Sequence, residues 1–278
     1  MGLFSGCMLA CDIDGTLMIN GKINPRNIEK IDFFINEGGL FSISTGRSAG
    51  AVGPVLRYLK NVSPSVVANG CMLYDFENDC VLDELFIDRD DYRIAEKVLK
   101  MGLNVGIEVH SGKNVFNLYT TKETIEHQEY EWIRGREISY EEACGYGWNK
   151  IVYIFDSLEE LAAVKQMISE EKTVSVFVET SAEFGGRRRN YYEQFPKEVS
   201  KYSALCRLCK ITGIKKGGLF AMGDYYNDLE MIKNADISAV PAGTPADISS
   251  FADYIAGPCE DGAVADFIEY LTKVRKEW

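Results

Sequence analysis

Met8-Leu9-Ala10-Cys11-Asp12-Ile13-Asp14-Gly15-Thr16-Leu17 decides how the rest of this chain is read. The apolar run from Cys7 to Ala10 ends in two carboxylates one residue apart, followed by Gly15-Thr16. Carboxylates at the end of a buried strand are costly unless a cation or hydrogen-bond donors meet them. A hard divalent cation with oxygen ligands satisfies that demand, and Mg2+ is the usual ion where phosphate is also bound. Taken alone, Asp14-Gly15 also reads as a capped turn after the strand, with Asp12 merely solvated.

Three further segments carry matching chemistry. Phe41-Ser42-Ile43-Ser44-Thr45-Gly46-Arg47 ends a second apolar strand with a hydroxyl, a glycine and a cation. Lys201 opens an amphipathic helix with Ala204, Leu205 and Leu208. Leu219-Phe220-Ala221-Met222-Gly223-Asp224-Tyr225-Tyr226-Asn227-Asp228 ends a third strand with two more carboxylates and an amide. In this order, DxDGT, TGR, the lysine and GDxxND resemble the haloacid dehalogenase (HAD) superfamily of Mg2+-dependent phosphohydrolases. Val66-Val67-Ala68-Asn69-Gly70 and Leu73-Tyr74-Asp75 are similar to its Cof-like sugar-phosphatase branch, which carries a C2-type cap. The motifs occupy residues 8–75 and 195–264 and leave the middle unmatched.

The resemblance implies a fold, a reaction and a set of roles. The fold is α/β: a Rossmann-like parallel sheet core, residues 1–84 and 190–278, with an inserted α+β cap domain at 85–189. The reaction is hydrolysis of a small phosphorylated metabolite through an aspartyl-phosphate, with a phosphotransferase or phosphomutase, or a non-catalytic phosphometabolite-binding regulator, as alternatives. Asp12 is the nucleophile, and Asp14 protonates the leaving group and then deprotonates water. Asp12, Asp224 and the Asp14 carbonyl hold Mg2+, while Asp228 stands behind them and orients metal-bound water or Lys201. Thr45 and the Gly46 amide bind the phosphate, and Lys201 pairs with the phosphate or with the Asp12 carboxylate.

Other residues keep two readings. Arg47 is a surface cation or a ligand contact, and Asn227 a turn residue or a phosphate contact. Asn69-Gly70 reads as a hairpin turn or as a phosphate- or cap-facing turn. Arg187-Arg188-Arg189 reads as a solvated face, or supplies one arginine to an anionic substrate. The chain departs from the branch at Val240-Pro241-Ala242-Gly243-Thr244, where a Met-Gly-Asn-Ala turn is common, and at Tyr191-Tyr192-Glu193-Gln194-Phe195-Pro196.

Composition bounds the alternatives. With 46% hydrophobic and 26% charged residues, the chain is ordinary globular material, and no apolar run reaches the ~20 residues of a membrane span. Net charge of −12 argues against a nucleic-acid surface but not against a locally positive pocket for an anion. The opening residues lack a secretory pattern, and a cytoplasmic, reduced setting suits the eight cysteines. Cys206-Arg207-Leu208-Cys209 lies inside a helix and reads as packing rather than redox chemistry, and His110 and His127 read as structural.

Periodicity predicts strands at about 7–12, 39–44 and 65–68 alternating with helices, hence a parallel sheet. Ligands of such sheets bind beyond the carboxyl ends of the strands, where Asp12, Thr45 and Asp224 all fall. The middle predicts a hairpin at 71–75 and 80–86. Further helices are expected at 89–101, 122–134 and 157–170. Strands are expected near 104–109, 114–119, 149–155, 173–179 and 188–194. The core resumes with helix 201–213, strand 218–222, helix 227–233, strand 236–240 and a last helix at 261–274.

Overall fold

The apolar strands and amphipathic helices assemble as two units in a computed structural model, which describes residues 2–184 and 186–276. One unit takes the chain up to Gly46, Val52–Asp83 and the chain from Ser200 on; the other takes Arg47–Ala51 and Glu84–Val199. Among the described residues no helix is long and apolar enough to cross a membrane.

The first unit is built on a five-stranded sheet. Its order is Tyr254–Ile255, Ile237–Val240, Leu219–Met222, Met8–Cys11, Leu40–Ile43, all parallel. Every residue of Met8–Cys11 is buried, as a central parallel strand requires. Met8 and Ala10 pack with Leu219 and Ala221 against Ala204, Leu205 and Leu208 of the helix Lys201–Thr212. That helix starts at Ser200, whose hydroxyl accepts from the Ser203 amide.

The strand Ser65–Val67 differs from the expectation of a third parallel strand. It keeps one parallel bridge, Ser44 to Val66, and otherwise pairs antiparallel with Met72–Asp75 in a three-stranded sheet closed by Cys80–Glu84. The reason is local: Ala68, Asn69 and Gly70 all have positive φ, so the chain reverses at once and pairs with its own continuation. The hairpin Met18–Ile19/Lys22–Ile23 and the short strand Tyr254–Ile255 carried too few alternating residues to be read from the sequence.

The second unit holds a six-stranded sheet ordered Arg136–Glu137, Asn114–Tyr119, Gly106–Ser111, Lys150–Phe155, Arg187–Phe195, Val176–Phe184. Ile107, Val109, Ile151 and Tyr153 form a core with Ile94 and Val98 of helix Tyr92–Lys100 and Leu161 and Val164 of helix Leu158–Ser169. The strand Arg187–Phe195 pairs along its whole length within this sheet, so the chain returns to the first unit at 199/200, not at the expected 189/190. Arg187 and Arg188 are exposed, whereas Arg189 is buried, its Nε donating to Glu126 and its Nη1 to Asp156, both at 2.8 Å. The arginine run therefore divides into two solvated cations and one structural ion pair.

Alternation along Gly106–Ser111 turns Glu108 and His110 away from the apolar core. Far apart in sequence, His110 and His127 meet at one carboxylate. Glu108 Oε2 lies 3.0 Å from His127 Nδ1 and 3.6 Å from His110 Nε2, and Oε1 accepts from Gln128 at 2.9 Å. Burial alone raises the Glu108 pKa, but His127 and His110 outweigh it and hold the carboxyl below its ordinary 4.5. Burial lowers His127, yet Glu108 carries it above its ordinary 6.5; burial keeps His110 below that value.

The Glu108–His127 pair contributes fully between about pH 4.5 and 6.5. Its contribution fades as pH falls through the lowered Glu108 pKa and as pH rises through the raised His127 pKa. Glu108→Gln is expected to lose about 1–3 kcal/mol near pH 5.5. The loss shrinks above pH 8, as paired melting curves across pH will show; an equal loss at every pH would count against the ion pair.

Candidate active site

The parallel register builds the site. Cys11 lies level with both Met222 and Ile43, so the residues that follow each strand emerge at one edge of the sheet. The Asp12 amide extends the ladder to the Met222 carbonyl at 2.9 Å, and the Ser44 amide reaches Cys11 at 2.8 Å. Asp12, Thr45 and Asp224 are therefore brought to the same end by strand pairing alone.

Lys201, with almost no exposure, lies between two of the carboxylates. Its Nζ donates to Asp12 Oδ1 at 2.8 Å and to Asp228 Oδ1 at 2.6 Å. Burial pulls the ammonium pKa down, but Asp12 and Asp228 overcome that and raise it, so Lys201 stays charged. Asp228 has a second task. Its Oδ2 accepts from the Asp224 and Tyr225 amides, both at 3.1 Å, which closes the loop that presents Asp224. Gly223 is required there because a Cβ would fall 2.4 Å from the Asp228 Cγ.

Carboxylate oxygens of Asp12, Asp224 and Asp228 lie within 4.8 Å of one another, the one such ligand cluster among the described residues. Burial pushes Asp12 well above the usual carboxylate range; Lys201 opposes the shift and Asp228, Asp224 and Asp14 add to it. Burial likewise raises Asp224 to about 6, against the Thr16 hydroxyl, which donates to its Oδ1 at 2.6 Å. One lysine thus faces three clustered acids, and this deficit of positive charge fits a divalent cation bound by oxygen. Among the described residues, Asp12 accepts from Lys201 and Asp224 from Thr16, each on Oδ1, so Oδ2 of each would be the atom left for a cation. Asp228 has both oxygens engaged by protein donors and serves the lysine and the loop.

The remaining expected residues fall in distinct places. Asp14 is exposed and its carboxylate stands outside the cluster. Thr45 is buried with its amide on the Val66 carbonyl at 3.0 Å. Gly46 packs against Asn69, and Asn69 Oδ1 accepts from Asn227 Nδ2 at 3.0 Å. Arg47 belongs to the second unit, its guanidinium 5.2 Å above the Trp132 ring. Thr16 is the residue the sequence reading left without a role; its place in DxDGT was the available signal. Cys206 and Cys209 are unbridged, and burial pushes the Cys209 thiol up to about 11, the reverse of a reactive cysteine.

The sequence profile of the haloacid dehalogenase-like hydrolases matches residues 9–268. The chain belongs to that family. This HAD-like hydrolase is similar to the 5-amino-6-(5-phospho-D-ribitylamino)uracil phosphatase YwtE of Bacillus subtilis, with 23% identity over 95% of this chain and 97% of that one. Its fold is that of TM0651 from Thermotoga maritima, with a TM-score of 0.82, 21% identity and coverage of 95% and 97% of the two chains. The HAD subclass IIB sugar phosphatase BT4131 superposes with a TM-score of 0.78 at 18% identity over 95% of this chain and 98% of that one. The parallel core sheet with a second, largely antiparallel sheet is the α/β architecture of these Cof-like relatives.

Gly15 joins the two halves of the HAD-like site. Its φ is +83°, and a Cβ there would lie 2.5 Å from Asp224 Oδ2. Gly15→Ala is expected to strain the turn and displace the Asp224 carboxylate. Mg2+ affinity should fall about 10–100-fold, the range for losing a group that orients a metal ligand. Calorimetric titration of Mg2+ into both proteins checks this, and an unchanged affinity would remove Asp224 from the metal site.

Proposed function

We propose that this HAD-like hydrolase cleaves a small phosphorylated metabolite, with sugar and polyol phosphates as the leading class, through an aspartyl-phosphate on Asp12. The observation that carries the reading is the buried Lys201 held between Asp12 and Asp228 beside Asp224, a site with more acid than one lysine neutralises. Mg2+, held by Asp12, Asp224 and the Asp14 carbonyl, would supply the charge that neutralises a phosphoryl oxygen. Every other step belongs to side chains of this chain.

Lys201 and the Thr45–Gly46 segment hold the phosphate in line with Asp12. An Asp12 oxygen attacks phosphorus as the ester P–O bond breaks, and Asp14 gives its proton to the departing alkoxide. Asp14 then takes a proton from water, whose oxygen attacks the aspartyl-phosphate, releasing inorganic phosphate and restoring the Asp12 carboxylate and the Asp14 acid. The substrate class is supported by the phosphoribityl substrate in the name of YwtE and the sugar phosphatase activity in that of BT4131. A cytoplasmic setting, supported by eight unbridged cysteines, is part of the same proposal.

The test is phosphate release from a panel of sugar, polyol, nucleotide and pyridoxal phosphates, with Mg2+ and with EDTA. Metal-dependent release, greatest for a sugar or polyol phosphate, is the expected result. Faster transfer to an added alcohol than to water would replace hydrolysis by phosphotransfer, and no turnover in a folded, Mg2+-binding protein would leave a ligand-binding role.

A further inference from the structure

The turn Ala68-Asn69-Gly70 has positive φ at three consecutive residues, +50°, +55° and +103°, a conformation that is strained at Ala68 and free at Gly70. Asparagine tolerates that region better than most residues, whereas alanine does not. Strain of this kind persists only where the surroundings fix it from several sides. Here three segments of the first unit do so.

The Asn69 amide donates to the Thr45 carbonyl at 3.0 Å. Its side-chain Oδ1 accepts from Asn227, which stands between Asp224 and Asp228, also at 3.0 Å. The Gly46 backbone lies on the same side chain, for a Cβ there would be 3.1 Å from Oδ1 and 3.3 Å from Nδ2. Gly70 closes against the start of the lysine helix: a Cβ on it would fall 2.3 Å from the Ser200 carbonyl oxygen, and its own carbonyl accepts from Arg207 Nη2 at 2.9 Å. One short turn therefore touches the Thr45–Gly46 segment, the Asp224–Asp228 loop and the helix that carries Lys201.

The backbone amide and the side-chain Oδ1 of Asn69 are both engaged by protein partners. We propose that Asn69 is a positioning residue that sets the spacing between the Thr45–Gly46 segment and the Asp224–Asp228 loop, so that phosphate and Mg2+ strengthen each other's binding. The proposal rests on the site assignment given under the proposed function. Its chemistry is that of a brace, with the Asn227–Asn69 hydrogen bond as the adjustable member.

The test uses the full chain with inorganic phosphate and Mg2+ as probes, each titrated calorimetrically alone and in the presence of the other. Two variants break the same bond from opposite sides. Asn69→Gly keeps the positive φ and removes the acceptor, and Asn227→Ala changes an exposed residue and leaves the turn intact, so it carries the test should the first not fold. In wild type, Mg2+ should tighten phosphate binding by about tenfold, within the ordinary range of coupling between two sites. In both variants that enhancement should fall to about twofold or less, with each probe alone binding within about twofold of wild type. Weakened phosphate binding by Asn69→Gly without Mg2+ would make Asn69 a direct ligand and overturn the brace. Full enhancement retained in folded variants would overturn it too. Absence of enhancement in wild type would reject the site assignment itself, and the brace with it.

Discussion

Replacing Lys201 by methionine is expected to cut phosphate release by about 10²–10³-fold and to lower the melting temperature, with Mg2+ restoring part of the stability and little of the rate. The lysine side chain is fully buried between Asp12 and Asp228. Methionine matches its aliphatic stem but leaves two buried carboxylates without their cation, a change that costs roughly 3–5 kcal/mol in comparable buried pairs. A bound divalent ion stabilises only the folded chain, by about 2.7 kcal/mol at a hundredfold excess over its Kd, so it offsets much of that loss. It does not replace the donor that Asp12 loses, nor the phosphate contact proposed for Lys201. Melting curves and initial rates with and without Mg2+ separate the two effects. A variant that melts like wild type without metal would show that Asp12 and Asp228 are not charged partners of Lys201.

Asp12→Asn should go further in rate and in the opposite direction in stability. Losing the proposed nucleophile is expected to reduce phosphate release by at least about 10⁴-fold, as removal of a nucleophile does elsewhere. Folding holds the Asp12 pKa well above its ordinary 3.8, chiefly by burial. For an acid shifted upward, the unfolded chain ionises first as pH rises, so stability falls between the ordinary and the raised pKa. Asparagine removes that penalty and can still accept from Lys201. Without metal near pH 7 the variant should melt higher than wild type; with saturating Mg2+ the order should reverse, because the variant has lost a proposed metal ligand. A variant less stable than wild type in EDTA would show that the Asp12 charge supports the fold rather than straining it.

Much of this was legible in the chain. Asp12, Asp224 and Lys201 could be placed at element ends because the patterns are plain: four apolar residues, four apolar residues, and a helix marked by Ala204, Leu205 and Leu208. Their roles came from the resemblance to the HAD motifs. Parallel pairing then determines that the ends of such strands meet, so the grouping of these side chains follows from order and register. The second task of Asp228 was not legible, because its bonds to the Asp224 and Tyr225 amides depend on loop closure rather than on residue type. Thr16 was hidden for a similar reason: a threonine after glycine looks like turn chemistry until Asp224, more than two hundred positions later, accepts its hydroxyl.

The middle of the chain was harder. Strands and helices could be placed within a few residues, but the end of the insert could not, because Arg187-Arg188-Arg189 looks like an exposed boundary. Its third member is instead buried against Glu126 and Asp156 inside the sheet. Likewise His110 and His127 gave no signal of meeting, since their shared partner, Glu108, sits on an interior strand among apolar neighbours.

The two places where the chain leaves and re-enters the first unit around the long segment Glu84–Val199 are tied to one helix. Asp83, the last residue before the excursion, accepts from Arg207 at 2.5 Å, and Ser200, the first after it, caps the same helix. An excursion with both ends clamped at one place can change length with little penalty, since closing a longer loop adds only about 0.6 kcal/mol per doubling. The consequence is one of descent: a lineage can lengthen, shorten or exchange what lies between those two anchors while the acid and lysine machinery is inherited intact.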